Sequence, residues 1–285
     1  MSHPEKWRET CDPFSLSYHS FRPTQILGYP HAGNDVFHVK GICEGREIRA
    51  YVKAARQNGA AIENEVAILS QLSAPNIPRV IDCDFEKRPF SVTTELPGER
   101  LSVILGDNKD LASLAYLPEY GRTLAELHRK DIRAEVIKDR RFFHAPTREL
   151  LSKLGLERLS GFFAEPPGKG STCFCHGDFH YANILWKERH ISAILDFELA
   201  GYGDRDFDIA WALFLRPGQR FLKTDAERRA FLDGYAQLGS YDPEAVRYYM
   251  AQCYVYFLEF SADDPEYCAY VRSWLSSLIS GSSQN

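Results

Sequence analysis

The sequence predicts an α+β fold in two lobes: residues 1–95 form an antiparallel sheet with one helix, and residues 96–285 form a larger, mainly helical lobe carrying a short hairpin. Three observations predict it. Strand-like alternation fills the first third, the Pro97-Gly98 pair breaks the chain directly after it, and helical periodicity dominates the remainder. Strands gathered first and helices gathered later indicate segregated layers rather than a repeating strand–helix unit. A cleft between two such lobes is where a ligand is expected.

In chain order, TQILGYP (24–30) and DVFHVKG (35–41) read as strands around the turn HAGN, and REIRAYVKA (46–54) reads as a third after Gly45. Residues 60–72 change period: Ile62, Val66, Leu69 and Leu72 recur at helical spacing, so one apolar stripe faces a core. APNIP stops that helix, because proline removes a backbone donor and disfavours helix before it. RVIDCDF and RPFSVTTEL supply two more strands. Residues 117–130 and 146–163 read as amphipathic helices, the second with a weak point at Gly155. After the loop around Pro166, Pro167, Gly168 and Gly170, NILW and ISAILDFE pair through the polar turn KERH, and about four helices complete the chain from Asp206.

Composition narrows the function. With 285 residues and 44% hydrophobic content the chain buries a sizeable core. Its net charge of −5 offers no basic face, so no nucleic-acid partner is expected. The charge is uneven, since residues 196–266 hold 14 acidic against 7 basic side chains. That asymmetry reads either as a solvated acidic surface or as a site that draws cationic substrates. The seven cysteines are odd in number and scattered, the start is polar, and no apolar run approaches the ~20 residues that span a bilayer. The expectation is a reduced, cytoplasmic enzyme with free thiols and no membrane partner. Oligomeric state leaves no mark in the sequence.

The chemistry concentrates in CFCHGDFHYANILW (173–186) and the hairpin that it enters. Asn183 begins one strand of the hairpin and Asp196 ends the other, so an amide and a carboxylate converge. Hard oxygen ligands of this kind suit Mg²⁺, which binds through few protein groups plus phosphates. Asp178, just upstream, is placed to accept the proton of a substrate hydroxyl. Together these are the parts for phosphoryl transfer.

HGDFHYANIL resembles the H-G-D-x-x-x-x-N catalytic loop of the aminoglycoside phosphotransferase and choline kinase-like family, which has a protein kinase-like fold. ILDFE resembles that family's metal-binding strand end, and GYGDRDFDIAW its following G-x-x-x-x-D-[LI]-A segment. The resemblance runs from about Gln25 to the last helices and implies a small-molecule kinase that uses ATP or GTP with Mg²⁺. It implies that Lys53 contacts the α- and β-phosphates and that a helical glutamate holds it. Glu65 is preferred to Glu63, because Leu69 and Leu72 then complete E-x-x-x-L-x-x-L. The loop 29–37 lies over the triphosphate in this reading, with Gly33 and Asn34 near it and backbone N–H groups of 32–35 cradling phosphate. That loop has a single glycine, and a plain hairpin turn is the competing reading. The backbone at Glu95 and Leu96 would bind adenine, while His176 and Asp208 would brace the catalytic loop.

Rival readings use the same residues. Zinc ligation by Cys173, Cys175, His176 and His180 fails on spacing, since alternate strand residues put the thiols on one face and His176 on the other. A metallophosphoesterase needs further histidines, and none occurs after His190. No G-x-S-x-G supports a serine hydrolase, and the adjacent Cys175 and His176 cannot face each other across a site. A catalytically inactive nucleotide-binding module would be expected to lose Lys53, Asp178, Asn183 or Asp196, and all four are present. For the acceptor, a hydroxyl on an amine-bearing or sugar-like molecule, the candidates are Glu198, Asp204, Glu259, Asp263 and Asp264. Tyr254, Tyr256 and Phe257 would shape a cation–π pocket, or else are plain core. A choline-type amino-alcohol acceptor is the alternative.

Overall fold

The computed structural model describes residues 11–30, 33–56, 61–168 and 170–280. Five strands, β1 (Phe21–Gly28), β2 (Asp35–Cys43), β3 (Arg46–Ala54), β4 (Val80–Asp84) and β5 (Phe90–Thr94), form one antiparallel sheet in the order β1-β2-β3-β5-β4. The β2–β3 register is unbroken from Asp35↔Ala54 to Cys43↔Arg46 and sets Lys53 opposite Val36. Side chains alternate across a strand, so Val52 and Ala54 join Phe37 and Val39 in a buried apolar layer while Lys53 projects from the other face. Ala32 of the expected phosphate cradle, and His31 of the loop 29–37, lie outside the described residues.

Helix α1 (Ile62–Leu69) turns Ile62, Glu65, Ile68 and Leu69 inward. These recur at three- and four-residue spacing, one face of a helix. Ile68 and Leu69, with Leu72 beyond the helix, pack into the large core of the C-terminal part rather than under the sheet. The helix therefore ties the two parts together, and Glu65 faces the space between them.

The C-terminal part begins with β6 (Glu99–Arg100), α2 (Leu101–Leu105) and α3 (Leu117–His128). The helix expected over 146–163 is broken. Thr147 caps α4 (Arg148–Lys153), Gly155 adopts φ +66°, and a 3₁₀ turn then leads into α5 (Ser160–Ala164). A left-handed residue cannot continue a right-handed helix, and glycine takes that conformation at low cost.

Strand β7 (Thr172–Cys175) pairs with β10 (Gly201–Asp204), and β8 (Ile184–Lys187) with β9 (His190–Ile194) and β6. The β8–β9 turn is the two residues Glu188 and Arg189, both at positive φ, the twist that tight hairpins favour. Four helices complete the chain: α6 (Arg205–Leu213), α7 (Asp225–Ala236), α8 (Pro243–Leu258) and α9 (Pro265–Ser280). Thr224 and Glu227 form a capping box at α7, and Asp242 caps α8. This mixed architecture is the α+β class expected. Among the described residues no helix is long and apolar enough to cross a membrane.

Candidate active site

A cleft of about 800 Å³ opens between the sheet and the C-terminal part, lined from one side by Gly33, Asn34, Lys53 and Glu65 and from the other by Asn183, Asp196 and Glu198. Glu95 and Leu96 line it at the connection between the two.

Lys53 Nζ reaches three carboxylates: Glu65 at 2.8 Å, Asp196 at 3.0 Å and Glu198 at 3.1 Å. Burial alone would push its ammonium down, but the charges of Glu65, Asp196 and Glu198 outweigh that and raise it. Glu65 is buried and also accepts from Phe197 N at 3.1 Å, so one carboxylate joins the strand lysine to the backbone after Asp196. Glu63, the competing residue, is exposed. Asn34 donates to Glu198 Oε1 at 2.6 Å.

Asn183 closes a 3₁₀ turn, Tyr181–Asn183, directly before β8. Its carbonyl accepts from Leu195 N at 2.8 Å, which extends the hairpin ladder one step and sets Asn183 beside the start of the Asp196 segment. Asp196 holds φ +66°, an uncommon conformation for a side-chain-bearing residue, and its side chain, 42% exposed, lines the cleft.

Asp178 is gripped from several sides. Trp211 Nε1 donates to Oδ1 at 2.8 Å, Asn183 Nδ2 donates to Oδ2 at 3.2 Å and to the carbonyl at 3.1 Å, and His180 Nε2 lies 3.5 Å from Oδ2. Burial would raise this carboxyl, but His180, the Arg216 guanidinium and the Trp211 N–H outweigh it and hold it down to about 2. Asp178 is therefore ionised, and poised to orient a hydroxyl more than to bind a proton strongly.

The loop has its own scaffold. Asp208 accepts from His176 N and Gly177 N, both at 3.0 Å. His176 accepts from Asp178 N through Nδ1 at 3.3 Å, so its Nε2 carries the proton and donates to Leu195 O at 3.0 Å. Burial pushes this imidazole below its ordinary value, which suits the neutral form. Gly177 sits at φ +75°, and a Cβ there would collide with the Leu199 carbonyl, so no other residue fits the turn.

Of the five acidic residues expected at the acceptor, four already have partners and one lies open at the surface. Glu198 is held by Lys53 and Asn34. Asp204 caps α6 through Asp206 N and Phe207 N and accepts from Tyr249. Glu259 is matched by Arg141 at 2.6 Å and Lys153 at 3.0 Å. Asp264 accepts from Tyr267 N at 3.0 Å in the first turn of α9, and Asp263 is exposed on the surface. The proposed aromatic pocket is likewise core: Tyr254 is fully buried with its hydroxyl on Leu215 N, Phe257 packs on Phe214, and Arg141 covers Tyr256. Three residues that matter to the site escaped sequence reasoning. Trp211 steadies Asp178, Asn64 donates to the carbonyls of Glu198 and Ala200 at 2.9 Å each, and His128 meets Asp208 at 3.1 Å.

Comparison with known proteins points the same way. The sequence matches the phosphotransferase enzyme family (APH) over residues 30–249. Among solved structures, the amicoumacin kinase hAmiN in complex with AMP-PNP, Ca²⁺ and Ami superposes with a TM-score of 0.61 at 13% identity, covering 98% of this chain and 96% of that one. A thermostable mutant of aminoglycoside phosphotransferase APH(4)-Ia, in a ternary complex with ADP and hygromycin B, gives 0.59 at 16%, covering 94% and 96%. Choline kinase from Cryptosporidium parvum Iowa II gives 0.55 at 15%, covering 97% and 93%. At these identities the likeness speaks to a kinase-like fold. No curated protein matches the sequence.

Proposed function

The chain belongs to the phosphotransferase enzyme family, and from that premise we propose a small-molecule kinase that moves the γ-phosphoryl group of ATP or GTP onto a hydroxyl of an amine-bearing or sugar-like acceptor. One observation carries the reading: an ionised carboxylate, Asp178, is fixed by Trp211 and Asn183 beside a cleft lined by Lys53, Asn183 and Asp196. Residues 1–95 and 96–285 act as the two lobes, and their junction at Glu95 and Leu96 holds the adenine. Glu95 N–H is engaged by Arg49 O at 3.4 Å, so the base is bound through the Glu95 carbonyl and the Leu96 N–H.

Lys53, freed from part of its carboxylate set, binds the α- and β-phosphates, with Gly33 and Asn34 over them. The donor set fits Mg²⁺. Asn183 spends its N–H on Asp178, which leaves its amide oxygen for a cation, and Asp196 shows its carboxylate to the same cleft. Mg²⁺ held by Asn183 and Asp196 would neutralise phosphate charge. Asp178 accepts a hydrogen bond from the acceptor hydroxyl and takes its proton as the new O–P bond forms and the bond to the leaving diphosphate breaks. With so weak a base the proton moves late, and orientation is its main contribution.

The acceptor reading rests on the hydroxyl and not on charge, because Glu259 is already neutralised by Arg141 and Lys153. Seven free cysteines suit a reducing, cytoplasmic setting. The test is a panel of hydroxylated amines, amino alcohols and sugars incubated with Mg²⁺ and ATP or GTP, read by nucleotide consumption and by mass of the phosphate ester. Consumption above the acceptor-free control with one acceptor class is expected. Absence of consumption with every acceptor, together with no nucleotide binding by calorimetry, would overturn the reading.

A further inference from the structure

Behind the catalytic loop lies a second cluster, whose two thiols have no part in the proposed phosphoryl transfer. Strand β7 carries Cys173 and Cys175 on one face, their Sγ atoms 3.7 Å apart. Helix α3 ends beside them at the buried His128, whose Nδ1 meets the Tyr235 hydroxyl at 2.7 Å and whose Nε2 meets Asp208 Oδ2 at 3.1 Å. The ligand atoms of His128, Cys173 and Cys175 all lie within 4.8 Å of one another. We propose that His128, Cys173 and Cys175 form a binding site for a thiophilic d¹⁰ cation of the Zn²⁺ class.

The geometry is close to what such an ion needs. Tetrahedral Zn²⁺ with Zn–S of about 2.3 Å separates two thiolates by about 3.8 Å, and the cysteine pair already stands at 3.7 Å. The imidazole has at most roughly 1 Å to close to reach a tetrahedral edge. A ligating histidine holds its other ring nitrogen on an oxygen. Whichever nitrogen of His128 turns to the cation, the other retains Asp208 or Tyr235. A water would supply the fourth position, because both Asp208 oxygens are engaged by His128 and the N–H groups of His176 and Gly177. Two sulfurs and an imidazole select against Mg²⁺, which takes oxygen ligands, so this site does not compete with the cleft for its metal.

The sequence pattern alone pointed to His176 and His180 as partners of the thiols and failed on spacing. The structure turns those two towards Leu195 and Asp178 and brings in a histidine from another helix. The location gives the site a consequence. Asp208 links His128 to the N–H groups of His176 and Gly177, so a cation that draws on His128 alters the support of the Asp178 loop.

The test titrates the chelator-treated full chain with Co²⁺ as the probe. One equivalent is expected to give thiolate-to-cobalt charge transfer and tetrahedral d–d bands, displaced by Zn²⁺. Cys173→Ser and His128→Gln each weaken binding by at least about 100-fold, the upper end of what loss of an outer-shell partner costs, while Asp196→Ala retains the bands. Circular dichroism checks folding, and Cys173, on the partly exposed end of β7, is the variant least exposed to folding failure. Absence of charge transfer in the wild type overturns the proposal. So does a charge-transfer band that persists in Cys173→Ser, or a cobalt signal lost in Asp196→Ala, which would assign the ion to the cleft.

Discussion

Trp211 donates its indole N–H to Asp178 Oδ1 at 2.8 Å, and Asn183 holds the other carboxylate oxygen at 3.2 Å. Both oxygens are thus aimed by the protein before any substrate arrives. Asp178→Asn preserves the shape and removes the charge proposed to receive the hydroxyl proton. Turnover is expected to fall about 100-fold or more, with nucleotide affinity by calorimetry unchanged. Near wild-type turnover would sink the role given to Asp178.

Trp211→Phe isolates the indole donor. The ring still stacks on Phe207 and still faces the Arg140 and Arg216 guanidiniums, but the N–H is gone. A hydrogen bond to a charged group contributes about 1.5–3 kcal/mol, so kcat should fall about tenfold or more with KM for nucleotide little changed. A lower melting temperature with kcat intact would reduce Trp211 to a packing residue.

The depressed Asp178 carboxyl makes a pH prediction with a definite sign. Its folded value is about 2, against about 3.9 for a free aspartate. A lowered folded value contributes stability that is fully present above the unfolded value and is lost as pH falls through the folded one. The contribution is about 2–3 kcal/mol and disappears between pH ~4 and ~2. Denaturation of wild type and Asp178→Asn across that range should show the gap between them narrowing as pH falls. A gap constant with pH would show that the carboxylate is not held in this way.

The parts of the candidate site that lie in short local motifs were legible as motifs: Asp178, Asn183 and Asp196 sit on one loop and hairpin, and Lys53 entered through the family resemblance. What escaped depends on contacts between distant segments. Trp211 looks like any apolar residue of α6, and only the packing of that helix against β7 brings it to Asp178. The acidic residues show the same limit in reverse: Glu259 reads as an open charge until Arg141, 118 positions earlier, closes on it. The broken helix at 146–163 was marked by Gly155, but a glycine in a helical pattern does not announce that it will adopt φ +66°. Strand β10 is GYGD, half glycine, and pairs with β7 without any strand signature of its own.

The Lys53–Glu65 pair predicts non-additive stability. Removing the ammonium leaves Glu65 buried beside Asp196 and Glu198, and among the described residues Lys53 is the cation that pairs with these three carboxylates. Lys53→Met should cost about 3 kcal/mol or more, the range for breaking a buried pair. Adding Glu65→Gln removes the stranded charge, so the double variant should be more stable than Lys53→Met alone. Urea denaturation of the four-member cycle measures the coupling. Strict additivity would show the pair to be insulated by solvent.

Asp196 calls for a variant chosen by backbone conformation. At φ +66° an alanine is strained, whereas asparagine tolerates the left-handed region, so Asp196→Ala mixes a backbone cost with loss of the carboxylate. Asp196→Asn retains the conformation and removes only the charge that would bind the cation and now faces Lys53 at 3.0 Å. Both variants should weaken Mg·ATP binding, and Asp196→Ala should in addition melt lower than Asp196→Asn. Without divalent cation the difference between wild type and Asp196→Asn should shrink or reverse, since the carboxylate then repels the triphosphate. Calorimetry with and without Mg²⁺ separates the two effects. Equal Mg·ATP affinity in wild type and Asp196→Asn would remove Asp196 from the metal site.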